Sequence, residues 1–433
     1  MSHLLISRCA QIWKEARWVV VGQVAIFIGG IATVKLLTSE LGPSVYGELT
    51  LGVSIAGALQ LFVYGPLNQI VIRYFSIYHN NGKLVVYFHV LEKIYLFMAL
   101  SVILVAFSLF VALYAWSETE WAFLLFLAVI YGGLNGVQAG ACAFYDATRN
   151  RRKSASFQSF SVWIRLVLAL FLIYMVAASA LSALMGFCLG VLIVSILQMS
   201  GLNKTIVEQK KSPQEGGIDG EDVERCLAEF KKYAFPFLLF ALVGVFGAYA
   251  DRWIIFERLD VKDVGIYAAL YQIASAPVTL VMALAQQYSA PIIFQRASSA
   301  ESSGDASNAG QLLMYTVLAF VGAILPFILL FWLFSEEIVR IFTAESFMEH
   351  HELLWFLPLG IMGFSIGQLF ILKGQYLNRP MVYLWPKILH ALSMVVLMYY
   401  LVTVAGIIGA AYAYCFASMV YLASIVVVNK NLS

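Results

Sequence analysis

One arginine inside an apolar stretch offers the most informative chemistry in this sequence. Arg165 follows Phe157, where the stretch begins, and at 1.5 Å per residue it lies on the order of 13 Å deep, near a bilayer midplane. An arginine there costs at least about 2.5 kcal/mol in hydrocarbon, so it should face a wet cavity or a partner. Because a guanidinium presents a planar fork of donors, we expect Arg165 to bind a diphosphate. A structural ion pair, or a side chain that extends to the interface, is the alternative.

Three further basic residues, Lys93, Arg73 and Lys387, lie near those ends of apolar stretches that we place on the cytoplasmic side. Long basic side chains extend to lipid headgroups, and the general excess of Lys and Arg on that side also accounts for such residues. Taken together, the three predict a basic entrance for an anionic headgroup.

Asp251, Arg252 and His390 are candidates for a gate or for ion coupling. Asp251 and Arg252 end the seventh apolar stretch. Adjacent positions of a helix point about 100° apart, so the two side chains are not expected to face one partner squarely. A histidine can titrate near neutral pH, although a single buried one more often serves packing. No Asp or Glu lies near the middle of an apolar stretch, which argues against carboxylate-based antiport.

The sequence contains no recognisable motif for cofactor binding or for catalysis. The five cysteines show neither paired nor metal-ligand spacing, and there is no P-loop, zinc signature or nucleophile elbow. We therefore expect no metal, no cofactor and no enzymatic activity. Coupling to a proton or sodium gradient stays open.

The composition excludes a water-soluble fold. Hydrophobic residues make up 61% of the chain and charged residues only 12%, with a mean hydropathy of +0.84, against roughly 25% charged residues in soluble domains. The net charge of +2 gives no reason to expect a nucleic-acid partner. Long continuous apolar runs predict an all-α polytopic membrane protein. The twelve predicted spans are 18–37, 47–72, 90–116, 121–143, 157–176, 180–202, 233–255, 265–294, 312–334, 353–377, 387–404 and 406–428.

The sequence divides into two similar halves. Gly29 and Gly247 are 218 residues apart, as are Gly47 and Gly265, and six plus six spans in one orientation predict parallel repeats. We expect an amphipathic cytoplasmic helix at 1–17, six-helix bundles at 18–202 and 233–433, and a flexible cytoplasmic linker at 203–232. The distribution of Lys and Arg places both termini in the cytoplasm.

These repeats contain L-G-P-S-V-Y-G-E-L after the first span, D-R-W-I-I-F at the end of the seventh, and D-V-G-I-Y-A-A-L-Y-Q-I-A after it. The sequence thereby resembles the polysaccharide and O-antigen flippases of the multidrug, oligosaccharidyl-lipid and polysaccharide exporter superfamily. The resemblance implies two six-helix bundles that form a V around a central cavity. It also implies a bacterial inner-membrane location and transfer of an undecaprenyl-diphosphate-linked oligosaccharide to the periplasmic leaflet. Membrane lipids, a polysaccharide polymerase and a chain-length regulator are the implied partners.

Two other functions stay open at this point. A multidrug exporter of the same superfamily has the same number of spans but would be expected to bind cations through embedded carboxylates, whereas Arg165 favours an anion. A non-transporting scaffold of a polymer assembly complex is the other.

Overall fold

The computed structural model describes residues 2–115, 118–210, 219–303, 307–377 and 379–432. Helices dominate these ranges, and no strand occurs in them, as predicted. The helices are α1 Ser2–Leu59, α2 Gly65–Asn80, α3 Leu84–Ala115, α4 Thr119–Ala147, α5 Arg151–Met175, α6 Ala180–Lys210, α7 Gly220–Arg258, α8 Val261–Ser303, α9 Ser307–Leu333, α10 Ser335–Phe342, α11 Leu353–Phe370, α12 Leu372–Tyr376 and α13 Leu384–Asn431.

The two longest of these helices, α1 with 58 residues and α13 with 48, have more than twice the length of one bilayer crossing, which takes about 20 residues. Both contain one residue with non-helical angles, Gly42 in α1 at φ 68° and Gly406 in α13 at φ 62°. A positive φ is easily reached only by glycine, so each helix is interrupted by a kink there. Ten ranges of the described chain are long and apolar enough to cross a membrane, and the two breaks raise the crossings to the twelve predicted.

Contacts between residues divide the chain into two compact units. Unit 1 comprises Met1–Gly29 and Leu51–Val245, and unit 2 comprises Gly30–Thr50 and Phe246–Ser433. Each unit thus includes part of α1 and part of α7. The predicted bundles at 18–202 and 233–433 are defined by the sequence repeat, and those boundaries stay a prediction.

In unit 1, small residues on α4 bring the neighbouring helices close. A methyl group on Gly132 would lie 2.9 Å from the Cα of Ala56. One on Gly133 would lie 2.7 Å from a methyl carbon of Val102. Close approach of this kind is typical of membrane helices, which gain little from the hydrophobic effect and rely on van der Waals contact.

The beginning of α7 packs against the α2–α3 region of unit 1. Cys226 and Phe230 are buried in a core cluster with the aromatic residues of α2 and α3. Lys83 lies 2.8 Å from Asp222, and the Tyr78 hydroxyl donates to Glu229 at 3.0 Å. The last part of the predicted linker, residues 220–232, is therefore an ordered helix. Residues 211–218 of that linker lie outside the described residues.

In unit 2, the connection between α9 and α11 packs against the α1 residues of the unit. The Lys35 ammonium donates to the carbonyl of Thr343 at 2.7 Å, just beyond the end of α10, where a cation also complements the helix dipole. The Tyr46 ring meets Phe347 edge to face at 6.0 Å. An exposed ion pair joins Lys262 to Glu349 at 2.9 Å and lowers the pKa of the Glu349 carboxyl.

Large apolar side chains cover much of the outer surface, as expected of helices that face lipid. On α3, Phe97 is 72% exposed and Leu104 is 66% exposed. Residues 2–17 are helical, but their side chains lie outside the described residues, so their amphipathic character stays a prediction.

Candidate functional site

Arg165 lies in α5 of unit 1, and two neighbours fix its guanidinium. Its Nε donates to the carbonyl of Ser161 at 3.0 Å, and its Nη1 donates to the Tyr131 hydroxyl of α4 at 2.7 Å. Gly190 of α6 leaves room for it, since a methyl group there would lie 2.8 Å from the Cα of Arg165. A half-buried arginine is thereby held at a defined position in the helix bundle.

A second polar contact lies one helical turn from Arg165. The Ser161 hydroxyl donates to Gln138 Oε1 at 3.1 Å, and both side chains are buried. Tyr131 and Gln138 are seven residues apart on α4, and Ser161 and Arg165 are four apart on α5, so each pair shares one face of its helix. We call Tyr131, Gln138, Ser161 and Arg165 the polar ladder.

The contacts of the polar ladder bear on one alternative role of Arg165, that of a structural ion pair. Among the described residues no ion pair includes Arg165. The guanidinium is held by neutral oxygens, which orient it without neutralising its charge. Tyr131 is not among the site residues predicted from the sequence, although its spacing of seven from Gln138 is a usable signal.

The three predicted entrance residues lie on different helices. Arg73 is exposed on α2, with its guanidinium 5.2 Å from the centre of the Tyr233 ring. Lys93 is exposed on α3, and Lys387 is partly buried on α13 of unit 2. Within the described part of unit 1, no hydrogen bond or ion pair joins Arg165 to Arg73 or Lys93. Their role as one entrance stays a prediction.

Asp251 and Arg252 pair with each other in unit 2. Arg252 Nη1 lies 3.2 Å from Asp251 Oδ1 and 3.3 Å from the Ala248 carbonyl, so the arginine folds back along its own helix. The Tyr267 hydroxyl donates to the other carboxylate oxygen of Asp251 at 3.0 Å. Asp251 is only 3% exposed. This direct pair between adjacent residues was not predicted from the sequence.

Tyrosines enclose this ion pair. The Arg252 guanidinium lies 5.4 Å from the centre of the Tyr271 ring, and the Tyr271 hydroxyl is 3.2 Å from that of Tyr414. Tyr267 and Tyr271 come from the D-V-G-I-Y-A-A-L-Y segment that carried the family resemblance. Their spacing of four, which places both on one face of α8, was the available signal.

His390 lies in an aromatic cage of unit 2. Its ring centre is 4.8 Å from that of Phe364 and 5.1 Å from that of Tyr421, and the residue is 5% exposed. Its Nε2 has no hydrogen-bond partner among the described residues. This environment suits a packing residue, and a role in gating or ion coupling stays a prediction for His390, as it does for Asp251 and Arg252.

Metal-binding geometry is not found in the part of the chain that the structure describes. There, no group of three or more His, Cys, Asp or Glu residues could hold an ion.

Solved membrane transporters share this fold. An inward-facing multidrug resistance MATE family transporter of the MOP superfamily aligns with a TM-score of 0.68 at 12% identity, over 96% of this chain and 94% of its own. The lipid II flippase MurJ, in an inward closed conformation, aligns with a TM-score of 0.68 at 14% identity, over 96% of this chain and 87% of its own. A MOP superfamily transporter from Pyrococcus furiosus, for which a reverse polarity of the binding pocket is described, aligns with a TM-score of 0.61 at 13% identity, over 96% and 95%.

Sequence comparison gives the family. No curated protein sequence matches the chain. A family model described as "Polysaccharide biosynthesis protein" matches residues 12–297, well over half of the sequence. The chain therefore belongs to the polysaccharide biosynthesis protein family.

Proposed function

We propose that the protein is a flippase that moves an undecaprenyl-diphosphate-linked oligosaccharide from the cytoplasmic to the periplasmic leaflet of a bacterial inner membrane. It would do so by alternating access, with both termini in the cytoplasm, and would serve the assembly of O-antigen, capsule or exopolysaccharide. Family membership and the transporter fold support this proposal. No catalytic step is required of the chain.

The observation that carries the proposal is the orientation of Arg165. Its guanidinium lies about midway along α5 and is held by Tyr131 and by the Ser161 carbonyl, with no ion-pair partner among the described residues. A fixed, uncompensated guanidinium inside a membrane bundle favours an anionic ligand over a cationic one. Charge-assisted hydrogen bonds from such a fork suit the oxygens of a diphosphate.

The other basic residues fit the same substrate. Exposed Arg73 and Lys93 in unit 1 and Lys387 in unit 2 would attract the anionic headgroup before it meets Arg165. A polysaccharide polymerase and a chain-length regulator are the partners that such a product would reach next.

A multidrug exporter is the second candidate, because the MATE transporter aligns with the same TM-score of 0.68 as MurJ. Cation export would call for an uncompensated acidic group near the middle of a span. The buried carboxylate of Asp251 is instead neutralised by Arg252 at 3.2 Å. The charges of these two sites therefore favour the lipid-linked oligosaccharide.

The test compares three strains that express the intact protein, Arg165→Ala and Arg340→Ala at equal level, beside a gene deletion. Arg340 is a suitable control because its side chain is 63% exposed and pairs with Glu336 on its own helix. We expect Arg165→Ala and the deletion to lose surface polysaccharide and to accumulate lipid-linked repeat units in the cytoplasmic leaflet, while Arg340→Ala behaves as the intact protein.

Two results would count against this assignment. Normal polymer in Arg165→Ala would remove the arginine from the site. Normal polymer in the deletion strain, together with increased sensitivity to lipophilic cations, would favour the drug exporter.

A further inference from the structure

Unit 1 contains an apolar pocket that the proposed transport of an anion does not use. It has a volume of about 370 Å³ and lies among α2, α3, α4 and α6. Its walls include Phe88, Leu91, Phe144 and Met199. This volume is within the usual range for small-molecule sites, roughly 300–1,000 Å³.

One charged group lines this pocket. Glu92 of α3 is the only Asp, Glu, Lys, Arg or His among the described lining residues, and it is exposed. Among the described residues, no ion pair includes Glu92. Glu92 lies two residues after Val90, where the predicted third span begins. Glu92 therefore gives the pocket a negative charge near the end of the span.

A second polar group of the pocket is unsatisfied. Tyr95, one turn along α3 from Glu92, also lines the pocket, and its hydroxyl is buried without a hydrogen-bond partner among the described residues. The hydroxyl lies against Gly140 of α4, where any larger residue would overlap it. A buried hydroxyl without a partner costs about 1–3 kcal/mol, so a ligand group that bonds to it gains affinity.

We propose that this pocket binds an amphiphile with an ammonium group. The alkyl part would lie against the apolar walls, and the ammonium would pair with Glu92 and donate to the Tyr95 hydroxyl. A headgroup that carries negative charge and no ammonium is repelled by Glu92, which separates this ligand from the anionic substrate of Arg165. An ammonium amphiphile reaches the pocket from either of two sources, an aminophospholipid of the surrounding bilayer or a free long-chain amine.

The first test uses three decyl compounds as probes of the full-length protein in phosphatidylglycerol nanodiscs. Decylammonium, decanol and decanoate share one chain and differ in charge. A ligand that binds the folded state raises the thermal midpoint. We expect decylammonium at saturation to raise the midpoint by about 5 °C, and decanol and decanoate to have little effect.

Variants connect this effect to the pocket. In Glu92→Gln the decylammonium shift should fall to less than half, and Tyr95→Phe should reduce it by a smaller amount. Glu120→Gln is the matched control, because it also removes one exposed carboxylate but lies at the other end of α4 from Gly140, about 30 Å away along the helix. Partition of the probe into lipid is the same for every variant.

The source is identified by adding phosphatidylethanolamine to the nanodiscs. A midpoint that rises for the intact protein but not for Glu92→Gln identifies the aminophospholipid. An unchanged midpoint, with the decylammonium shift retained, identifies a free amine. An equal decylammonium shift in the intact protein and Glu92→Gln, or an equal shift from decanol, would overturn the proposal.

Discussion

Gly47 and Gly265 pack backbone against backbone in unit 2. A methyl group on Gly47 would lie 3.1 Å from the amide nitrogen of Gly265, and one on Gly265 would lie 3.0 Å from that of Gly47. Each would also overlap a backbone carbonyl oxygen, that of Val261 or of Pro43. These are the two glycines that the sequence repeat makes equivalent, so the internal symmetry of the chain is expressed here as a physical contact.

Replacing Gly47 by alanine should therefore destabilise unit 2. The added carbon meets main-chain atoms, which cannot move aside as a side chain can, and overpacking of this kind costs about 1–3 kcal/mol or more. We expect a clearly lower thermal midpoint, measured by size-exclusion chromatography of a fluorescent fusion after heating. Gly322→Ala is the control, since nothing lies within 4 Å of the position of its added carbon. Equal midpoints for the two variants would contradict the backbone contact.

Tyr131→Phe should weaken transport without preventing folding. It removes the hydroxyl that accepts the Arg165 Nη1 hydrogen bond at 2.7 Å. A hydrogen bond to a charged group contributes about 1.5–3 kcal/mol, so loss of this orientation should lower the transport rate by roughly tenfold or more. The measurement is the rate of surface polymer appearance after induction at matched expression. Tyr315→Phe, at a residue that is 65% exposed, should leave that rate unchanged. A normal rate in Tyr131→Phe would show that Arg165 needs no orientation by this hydroxyl.

Asp251→Asn should be strongly destabilising. The substitution leaves the Arg252 guanidinium, whose side chain is 14% exposed, without its counter-charge, and breaking a buried pair from one side costs about 3–5 kcal/mol. Denaturant unfolding in detergent micelles measures the loss. The double variant Asp251→Asn with Arg252→Met should recover part of the stability, because it leaves no unpaired charge. Glu349→Gln, which breaks an exposed pair, should leave the unfolding midpoint unchanged. No recovery in the double variant would mean that the charge of Arg252 is not the cause.

Cys226 should react slowly with maleimides in the folded protein. It is fully buried at the beginning of α7, beside Phe230. Asp222→Lys replaces the attraction to Lys83 by repulsion. A partly exposed pair of this kind contributes up to about 1 kcal/mol, so we expect labelling to accelerate about fivefold in a protein that retains only this cysteine. The control Glu349→Lys reverses a charge in unit 2 and should not alter the rate. Fast labelling of the parent protein would contradict the packing of residues 220–232.

Much of the fold follows from the sequence, because the long apolar runs and their interruptions specify the crossings. Gly42 lies in the gap predicted between the first two spans, and Gly406 is the first residue of the twelfth predicted span, directly after the single gap residue 405; the positive φ at each glycine interrupts the helix there. The packing of α7 on unit 1 was not predicted. Residues 213–220 are rich in Gly and Pro, which predicted a flexible linker over the whole of 203–232. Farther along the chain, the buried apolar side chains of Cys226 and Phe230 hold the beginning of α7 against unit 1.

The candidate site was predictable in part. The position of Arg165 deep inside an apolar run identified it as a candidate site residue from the sequence alone, since a charge at such a position is rare. Tyr131 and Tyr267 were not predicted as site residues because tyrosine is common in membrane proteins. In addition, the spacing of residues on one helix does not reveal which side chain of another helix faces them. Pairing across helices depends on their relative rotation, which a single sequence does not contain.

The kink at Gly42 joins two predicted spans inside one helix, which limits how much chain an antibody or protease could reach between them. The kink at Gly406 does the same, and the predicted spans place both on one side of the membrane, since an odd number of them precedes each kink. The connection through α10, between α9 and α11, emerges there too and extends from Phe334 to Glu352. Among the described connections predicted to lie on that side it is the longest, so α10 and the residues after it are the place for an epitope tag or a cleavage site aimed at that surface.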